Sequence, residues 1–269
     1  MTVEPQTLRI DAPAERVRRI TLNRPEKRNA INNAMRRELF DTLQVFDDDP
    51  EVGCTILRGA GKCFSSGYDL SADLTADRPY YTAGGDGGWS RHVIEGWTGI
   101  WDLAKPVIAQ VHGYAMDGGS ELMTACDLAY VAEDAQIGYP MTRLISPPDA
   151  QFHTWLVGMR QAMEMILTGD SVSGLEAARI GLVNRAYPKG ELEERTLGWA
   201  RRIAEVPSDL QQINKRSVHR AMELMGVRTG MRQGSEIAAL ALHQKSVKAR
   251  MQDLANSARE AFAKGDRGD

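Results

Sequence analysis

The chain has 269 residues, 42% of them hydrophobic and 26% charged, which is typical of a globular protein with a sizeable core. Its formal net charge of −3 provides no positive field of the kind that binds nucleic acid or an anionic membrane. No uninterrupted apolar stretch approaches the roughly 20 residues that a membrane-spanning helix needs.

The three cysteines, Cys54, Cys63 and Cys126, are odd in number and widely spaced. This pattern fits neither a disulfide framework nor a CxxC metal site. The first ten residues contain no basic segment followed by an apolar one, so no signal peptide is predicted. We therefore expect a soluble protein of the reducing cytoplasm.

Short apolar runs alternate with helical patterns through the first two thirds of the chain. The clearest helices are the one that carries Met35, Leu39, Leu43 and Phe46 at helical spacing, and the one predicted over 190–206. From about residue 208 onward the pattern is wholly helical. Alternation of this kind predicts an α/β fold with mostly parallel pairing, followed by an all-helical part. The predicted strands are 17–23, 53–61, 106–113, 127–133 and 181–188.

Several familiar functional motifs are missing. The run "TAGGDGG" (82–88) lacks the lysine of a phosphate-binding loop and is better explained as a mobile surface loop. "CFSSGYDL" (63–70) is not the GxSxG turn of a serine hydrolase. The five histidines show no paired spacing, so no metal site is predicted.

Two small-residue stretches suggest a site built from backbone. "GYAMDGGSEL" (113–122) places Asp117 and Glu121 around a helix start, where acids cap the helix and favour the positive end of its dipole. Capping alone would explain that pattern. "GKCFSSGYDL" (61–70) is a second stretch whose backbone N–H groups can approach a ligand closely. If both converge on one oxygen, they form an oxyanion hole.

The chain resembles the crotonase superfamily, also called the enoyl-CoA hydratase/isomerase family. Four stretches match motifs of that family and follow one another in the same order and spacing. The resemblance implies a spiral of repeated ββα units that binds an acyl-CoA thioester and stabilises its enolate. It also implies a core over 1–205, a helical oligomerisation region over 206–269, and a homotrimer or dimer of trimers. The matching stretches are 22–31, 59–70, 105–140 and 162–188.

The same resemblance assigns roles to individual residues. Glu121 matches the first acid/base of the hydratases, and the N–H groups of Ser66 and Gly118 match the oxyanion donors. Lys27 and Arg28 would lie near the adenine and phosphates of CoA, although they also fit a solvated turn. No metal or separate cofactor is implied, since CoA is part of the substrate. The residues expected to bind substrate are Lys27, Arg28, Ala30, Ser66, Gly67, Tyr68, Asp69, Leu70, Gly118 and Met141.

Two departures leave the exact reaction open. Asp117 replaces the first of three glycines, where it can adopt the left-handed backbone conformation or cap the helix. Met141 stands where hydratases carry their second glutamate, and it reads as an apolar wall of the acyl pocket. Nearby polar groups could compensate, although each also fits a structural or surface role. These are Tyr139, Arg143, Asp149 and His153.

The expected function is therefore an enoyl-CoA hydratase/isomerase-like enzyme, with two alternatives. One keeps the fold but performs hydrolysis, decarboxylation or C–C cleavage, using Glu121 with Asp149 or His153. The other is a non-catalytic acyl-CoA-binding homologue, because Met141 cannot carry a proton.

Overall fold

A computed structural model describes residues 5–250, 252 and 253 of the chain. Its strands are β1 (Leu8–Ala14), β2 (Val17–Leu22), β3 (Cys54–Gly59), β4 (Val107–Val111), β5 (Tyr114–Met116), β6 (Leu128–Ala132), β7 (Gln136–Gly138), β8 (Val172–Ser173) and β9 (Arg185–Tyr187). Its helices are α1 (Asn33–Asp48), α2 (Gly88–Asp102), α3 (Gly118–Ala125), α4 (Phe152–Thr168), α5 (Gly174–Arg179), α6 (Leu192–Ala204), α7 (Ser208–Leu224) and α8 (Val227–Leu242), with short 3₁₀ helices at Pro25–Lys27 and Pro140–Arg143.

The strands form two sheets. The larger has the order β1-β2-β3-β4-β6-β9, in which only β1 and β2 pair antiparallel. The smaller has the order β5-β7-β8. Strand β4 is buried along its whole length, as its continuous apolar sequence predicts for a parallel sheet covered on both faces. The α/β class and the parallel pairing are confirmed.

The predicted strands and helices are present, with shorter bounds. In α1 the side chains of Met35, Leu39 and Leu43 are buried, and the Asn32 side chain caps the helix by accepting from the Met35 N–H. Sequence analysis did not identify β1 or the three strands of the smaller sheet. The strands of that sheet have two or three residues each, too few for a periodic signal.

Helix α6 packs across the larger sheet. It buries one residue per turn. Gly53, directly before β3, lies so close to the end of α6 that a Cβ there would meet the Ala204 Cα at 2.9 Å. The main hydrophobic core joins this sheet to α1 and α2, and includes the fully buried Trp97. The buried face of α6 consists of Leu192, Thr196, Ala200 and Ala204.

The C-terminal part is helical as predicted, through α7 and α8. The boundary near residue 206 and the oligomerisation role of 206–269 stay predictions, and most of the chain beyond α8 lies outside the described residues. Within the described part of the chain, no helix combines the length and apolar character needed to cross a membrane.

Candidate active site

Two backbone segments meet where β5 leads into α3. Gly67 has a φ of +100°, and a Cβ at this position would lie 3.0 Å from the Met116 carbonyl oxygen. A Cβ on Gly118 would lie 2.6 Å from the Tyr68 ring. Both positions therefore need glycine, because the two segments approach too closely for a side chain. Gly67 needs it also for its positive φ. The predicted convergence of the two small-residue stretches is present.

The amides at this junction differ in what they bind. The Ser66 N–H donates to the Arg28 carbonyl at 3.0 Å, so it is not free for a ligand. Among the described residues, the N–H groups of Tyr68 and Gly118 have no acceptor. Gly118 is the first residue of α3, where helix geometry leaves the amide without an intrahelical partner.

The Glu121 carboxylate lies one turn into α3 and is 2% exposed. Its Oε2 accepts from the Tyr68 hydroxyl at 2.6 Å and from the Trp97 indole at 3.2 Å. Its Oε1 accepts from the backbone N–H groups of Asp149 at 2.7 Å and Ala150 at 3.3 Å. Burial raises the pKa of this carboxyl and the neighbouring Asp149 charge raises it further, while hydrogen bonds from Tyr68 and the two backbone amides oppose the shift.

Asp149 is a second carboxylate near Glu121, joined to it through the Asp149 backbone N–H and close enough for its charge to act on the Glu121 carboxyl. Its Oδ1 accepts from the Ser90 hydroxyl at 2.5 Å, and its Oδ2 accepts from the Trp89 indole at 3.0 Å. Burial raises the pKa of Asp149, against the effect of these two hydrogen bonds. Two neighbouring carboxyls with raised pKa values tend to hold one proton between them, which suits a paired acid and base.

Asp117 begins α3 without capping it. Its φ is +46°, so an aspartate does occupy the positive-φ region that glycine tolerates. Its side chain makes no capping hydrogen bond and instead accepts from the Met141 N–H at 3.0 Å. Burial raises the pKa of this carboxyl to about 6.

A pocket of about 610 Å³ opens over these groups. It is lined by the start of α2, the start of α3, the 3₁₀ helix at Pro140–Arg143 and the C-terminal end of α8. Its walls are mostly apolar, and Glu121 and Asp149 line it together with Tyr68 and Gly118, whose amides have no acceptor among the described residues. An apolar pocket with a few converging polar groups is the usual form of a small-molecule site.

Residues 13–264 match the enoyl-CoA hydratase/isomerase family. The chain belongs to this family. It is 36% identical over 210 residues to the mitochondrial enoyl-CoA hydratase of Pongo abelii, a match covering 76% of this chain and 69% of that protein.

Solved structures of the family have the same fold. An enoyl-CoA hydratase from Mycobacterium smegmatis superposes with a TM-score of 0.83 at 28% identity, covering 95% of this chain and 89% of that one. An enoyl-CoA hydratase/isomerase from Xanthobacter autotrophicus Py2 gives a TM-score of 0.80 at 30% identity, covering 92% of this chain and 96% of that one. The crotonase-type α/β fold expected from the motifs is thus confirmed.

The residues to which the resemblance assigned a catalytic or substrate-binding role divide into two groups. Six line the pocket: Ser66, Tyr68, Leu70, Gly118, Glu121 and Met141. The others lie next to it or hold it together. Asp69 is buried and pairs with Arg24 at 2.8 Å, while Lys27 and Arg28 are exposed on the turn before the buried Ala30. Gly67 forms the close approach to α3 described above.

The four polar residues near Met141 differ in whether they reach the pocket. Arg143 is on the surface, paired with Asp170. His153 is fully buried, and its ring packs against Tyr139 with 4.7 Å between centroids. Burial lowers the pKa of His153 to about 4, and the side chain does not line the pocket. Tyr139 lines the pocket, but Asp149 is the residue beside Glu121.

Sequence reasoning did not identify the residues of α2 that complete the site. Trp89, Ser90 and Trp97 bind the two carboxylates, and the glycine-rich surface loop that ends at Gly88 lines the pocket. The available signal was the "WS" directly after the glycine-rich run, which places two side-chain donors at the start of a helix.

Proposed function

We propose that this protein is an acyl-CoA enzyme of the hydratase/isomerase type, in which Glu121 and Asp149 move protons over a thioester enolate. One observation carries the proposal: the buried Glu121 carboxylate and the half-buried Asp149 line one pocket with two backbone amides that have no acceptor among the described residues. The family to which the chain belongs supports an acyl-CoA substrate.

The oxyanion donors in this proposal are the N–H groups of Tyr68 and Gly118. Tyr68 replaces Ser66 in this role because the Ser66 amide already binds the Arg28 carbonyl. Negative charge develops on the thioester oxygen as the enolate forms, and prearranged amides stabilise that charge without reorganising. The helix dipole at the start of α3 acts in the same direction.

The acid and base are the two members of the carboxylate pair. In hydration, the ionised carboxylate takes a proton from water as the water oxygen bonds to the β-carbon. The protonated carboxyl then gives its proton to the α-carbon. The pair ends with the same number of protons as it began with, and water has been added across the double bond. In isomerisation, one carboxylate removes a proton from carbon and returns it two carbons away.

This assignment addresses the missing glutamate at Met141. Asp149 supplies the second titratable group from the next segment of the chain, so a single glutamate need not carry both steps. The arrangement favours an enzyme over a non-catalytic binding homologue, because desolvating two neighbouring carboxyls costs stability, and carboxyls with raised pKa values in one pocket are typical of catalytic sites.

The CoA moiety would extend from the pocket toward the exposed turn that carries Lys27 and Arg28. That turn is joined directly to the site, since the Arg28 carbonyl accepts from Ser66 and the Ile31 N–H donates to the Gly67 carbonyl. Two cations there suit the phosphates of CoA. Proton transfers of this kind involve no metal or redox cofactor, so CoA on the substrate is the sole coenzyme in the proposal.

The proposed assembly is a homotrimer or a dimer of trimers. Support comes from the outer faces of α7 and α8, which leave large apolar side chains exposed within the described part of the chain. Faces of this kind are common at protein–protein interfaces. Phe262, another large apolar residue of the predicted oligomerisation region, lies outside the described residues. The exposed side chains include Leu210, Ile213, Val218, Leu224, Ile237 and Leu240.

The direct test is incubation of the purified protein with a panel of enoyl- and acyl-CoA thioesters, followed by mass spectrometry. With the products separated by liquid chromatography before the mass spectrometer, we expect a mass gain of one water on an enoyl-CoA, or a product of unchanged mass and new retention time that results from a shifted double bond. Release of free CoA or loss of CO₂ would instead support the hydrolase, decarboxylase or lyase alternatives. Saturable binding with no reaction across the panel would identify a binding homologue.

A further inference from the structure

Arg36 is a fully buried cation on α1 without an acidic partner. Its side chain is 0% exposed, and among the described residues no carboxylate lies within ion-pair distance of it. Its guanidinium donates to the Asn33 side chain at 3.1 Å, the Tyr80 hydroxyl at 3.1 Å and the His92 carbonyl at 3.3 Å. A buried charge is costly unless its surroundings stabilise it.

Aromatic rings provide that stabilisation. The Arg36 guanidinium lies 5.4 Å from the ring centre of Trp89 and 5.7 Å from that of Trp97. Phe40 and Tyr80 lie at 5.9 Å each. A cation within about 6 Å of an aromatic ring is attracted by the ring quadrupole, most strongly for tryptophan.

Each of the two indoles near Arg36 donates to one site carboxylate. Trp89 Nε1 donates to Asp149 Oδ2 at 3.0 Å, and Trp97 Nε1 donates to Glu121 Oε2 at 3.2 Å. A cation at an indole ring withdraws electron density from the ring and makes its N–H a stronger donor. The charge of Arg36 also lowers the pKa of Asp149, against the larger effect of burial.

We propose that Arg36 is a positioning residue for this active site, which acts through Trp89 and Trp97 to favour the ionised form of the carboxylate pair. The inference rests on the proposed function, since it assigns Arg36 a part in that reaction. Without the cation, both carboxyls would hold their protons to higher pH. An ionised carboxylate that can act as the base would then be present over a narrower range of pH.

The other titratable groups around Arg36 do not provide this charge. Burial, with the charges of Arg36 and Arg78, lowers the pKa of His92 to about 3, so its ring is neutral. Burial raises the pKa of Tyr80 to about 12, so its hydroxyl is neutral as well. The Glu95 carboxylate is directed to the surface, where it pairs with Arg232 at 3.1 Å. Arg78 also lines the pocket and its charge acts on His92, whereas the cation that acts on Asp149 is Arg36. The remaining groups facing the cage are Tyr68 and the two carboxyls themselves.

The test measures the titration of Asp149 without needing turnover. The near-ultraviolet absorption of tryptophan is followed as a difference spectrum between pH 4 and pH 9, because the Trp89 indole donates to Asp149. The component of the pH-dependent absorption change that disappears in Asp149→Asn is assigned to the titration of Asp149. In Arg36→Gln, which removes the charge, we expect the midpoint of this component about one pH unit higher than in wild type. Arg36→Lys keeps the charge and should shift the midpoint much less.

An unchanged midpoint in Arg36→Gln would overturn the proposal, as would equal shifts in the Gln and Lys variants, because packing alone would then explain them. If Arg36→Gln does not fold, Arg36→Met is the second neutral variant, since methionine adapts well to an aromatic cage. If the enzyme turns over a thioester of the panel, the acid limb of kcat/KM should move with the absorption midpoint. A shifted midpoint in a protein that transforms no thioester would contradict the proposed function and leave the electrostatic link standing.

Discussion

At the scale of single residues, Asp149 and Glu121 differ in how cleanly they can be tested. Both Glu121 oxygens accept two donors each, so the NH₂ group of a glutamine there would face another donor. Asp149 accepts only from Trp89 and Ser90 among the described residues, and the Ser90 hydroxyl can turn to accept instead. An asparagine at position 149 therefore keeps both contacts while removing the acid.

We predict that Asp149→Asn lowers kcat on the true substrate by about 10²-fold, because it removes one of the two groups that transfer protons. Substrate binding should be nearly unchanged, since the hydrogen bonds of residue 149 are kept. Steady-state kinetics and calorimetric titration with a non-reactive acyl-CoA measure the two effects. Asp170→Asn, which changes a surface carboxylate paired with Arg143, is the matched control and should behave as wild type. Full activity in Asp149→Asn would remove Asp149 from the mechanism.

Asp117 allows a prediction on stability and pH. Burial raises the pKa of its carboxyl to about 6, above the unfolded value of about 3.9. The folded state thus binds the proton more tightly than the unfolded state does. Wild type is then expected to lose stability as pH rises from about 4 to about 6 and to stay lower above that range.

The substitution Asp117→Asn would keep an acceptor for the Met141 N–H and tolerate the positive φ, but it removes the charge. We therefore expect this variant to have a Tm higher by roughly 3 °C at pH 8 and little changed at pH 4. Thermal unfolding across this pH range measures the difference. A Tm gain that is the same at pH 4 and pH 8 would show that the carboxylate charge is not the cause.

At the scale of secondary-structure elements, the start of α3 depends on Gly118. A methyl group there would meet the Tyr68 ring at 2.6 Å, which is far inside contact distance. Either the helix start or the Tyr68 ring has to move, and in both cases the two proposed oxyanion donors separate. The same change would disturb the hydrogen bond from Tyr68 to Glu121.

Gly118→Ala should accordingly lower kcat by about 10²-fold or more, the usual effect of losing one oxyanion donor, and destabilise the fold by roughly 1–3 kcal/mol. The control is Gly198→Ala in α6, where, outside the helix's own backbone, no atom of the described residues lies within 4 Å of the added methyl. This control should gain about 0.5–1 kcal/mol in stability without change in turnover. Normal kinetics in Gly118→Ala would contradict the proposed oxyanion hole.

At the scale of the whole molecule, the proposed assembly rests on the outer face of the C-terminal helices. Ile237 and Leu240 on α8 are 55% and 57% exposed in the single chain, and Ile213 on α7 is 64% exposed. Charged residues at buried interface positions leave an unpaired charge on association, so a glutamate there should prevent it.

We expect wild type to sediment at about three times the 29.7 kDa mass of one chain, or at a multiple of that species. The double variant Ile237→Glu and Leu240→Glu should sediment as a smaller species. Val45→Glu on α1, which replaces another exposed apolar side chain, should leave the assembly unchanged. A wild-type monomer at micromolar concentration would contradict the proposed assembly.

The sequence alone determined the local features of this protein. Apolar periodicity placed α1, α6 and the parallel strands, since these patterns depend on residues that are neighbours along the chain. The motifs around Gly67, Gly118 and Glu121 carried the family resemblance for the same reason, and with it the fold and the class of substrate. The substitution of Met141 was visible at once, and its consequence for proton transfer could be stated.

Only the tertiary structure decided which groups meet. Asp149 was one of four polar candidates in the sequence, and it is distinguished by its place beside Glu121, which comes from the packing of distant segments. Which amide is free at residues 66–68 depends on the Arg28 carbonyl, far earlier in the chain, which accepts from Ser66. The buried Arg36 behind two tryptophans belongs to a different helix again. Local patterns do not contain such contacts, because they arise when the chain folds back on itself and desolvates the groups it brings together.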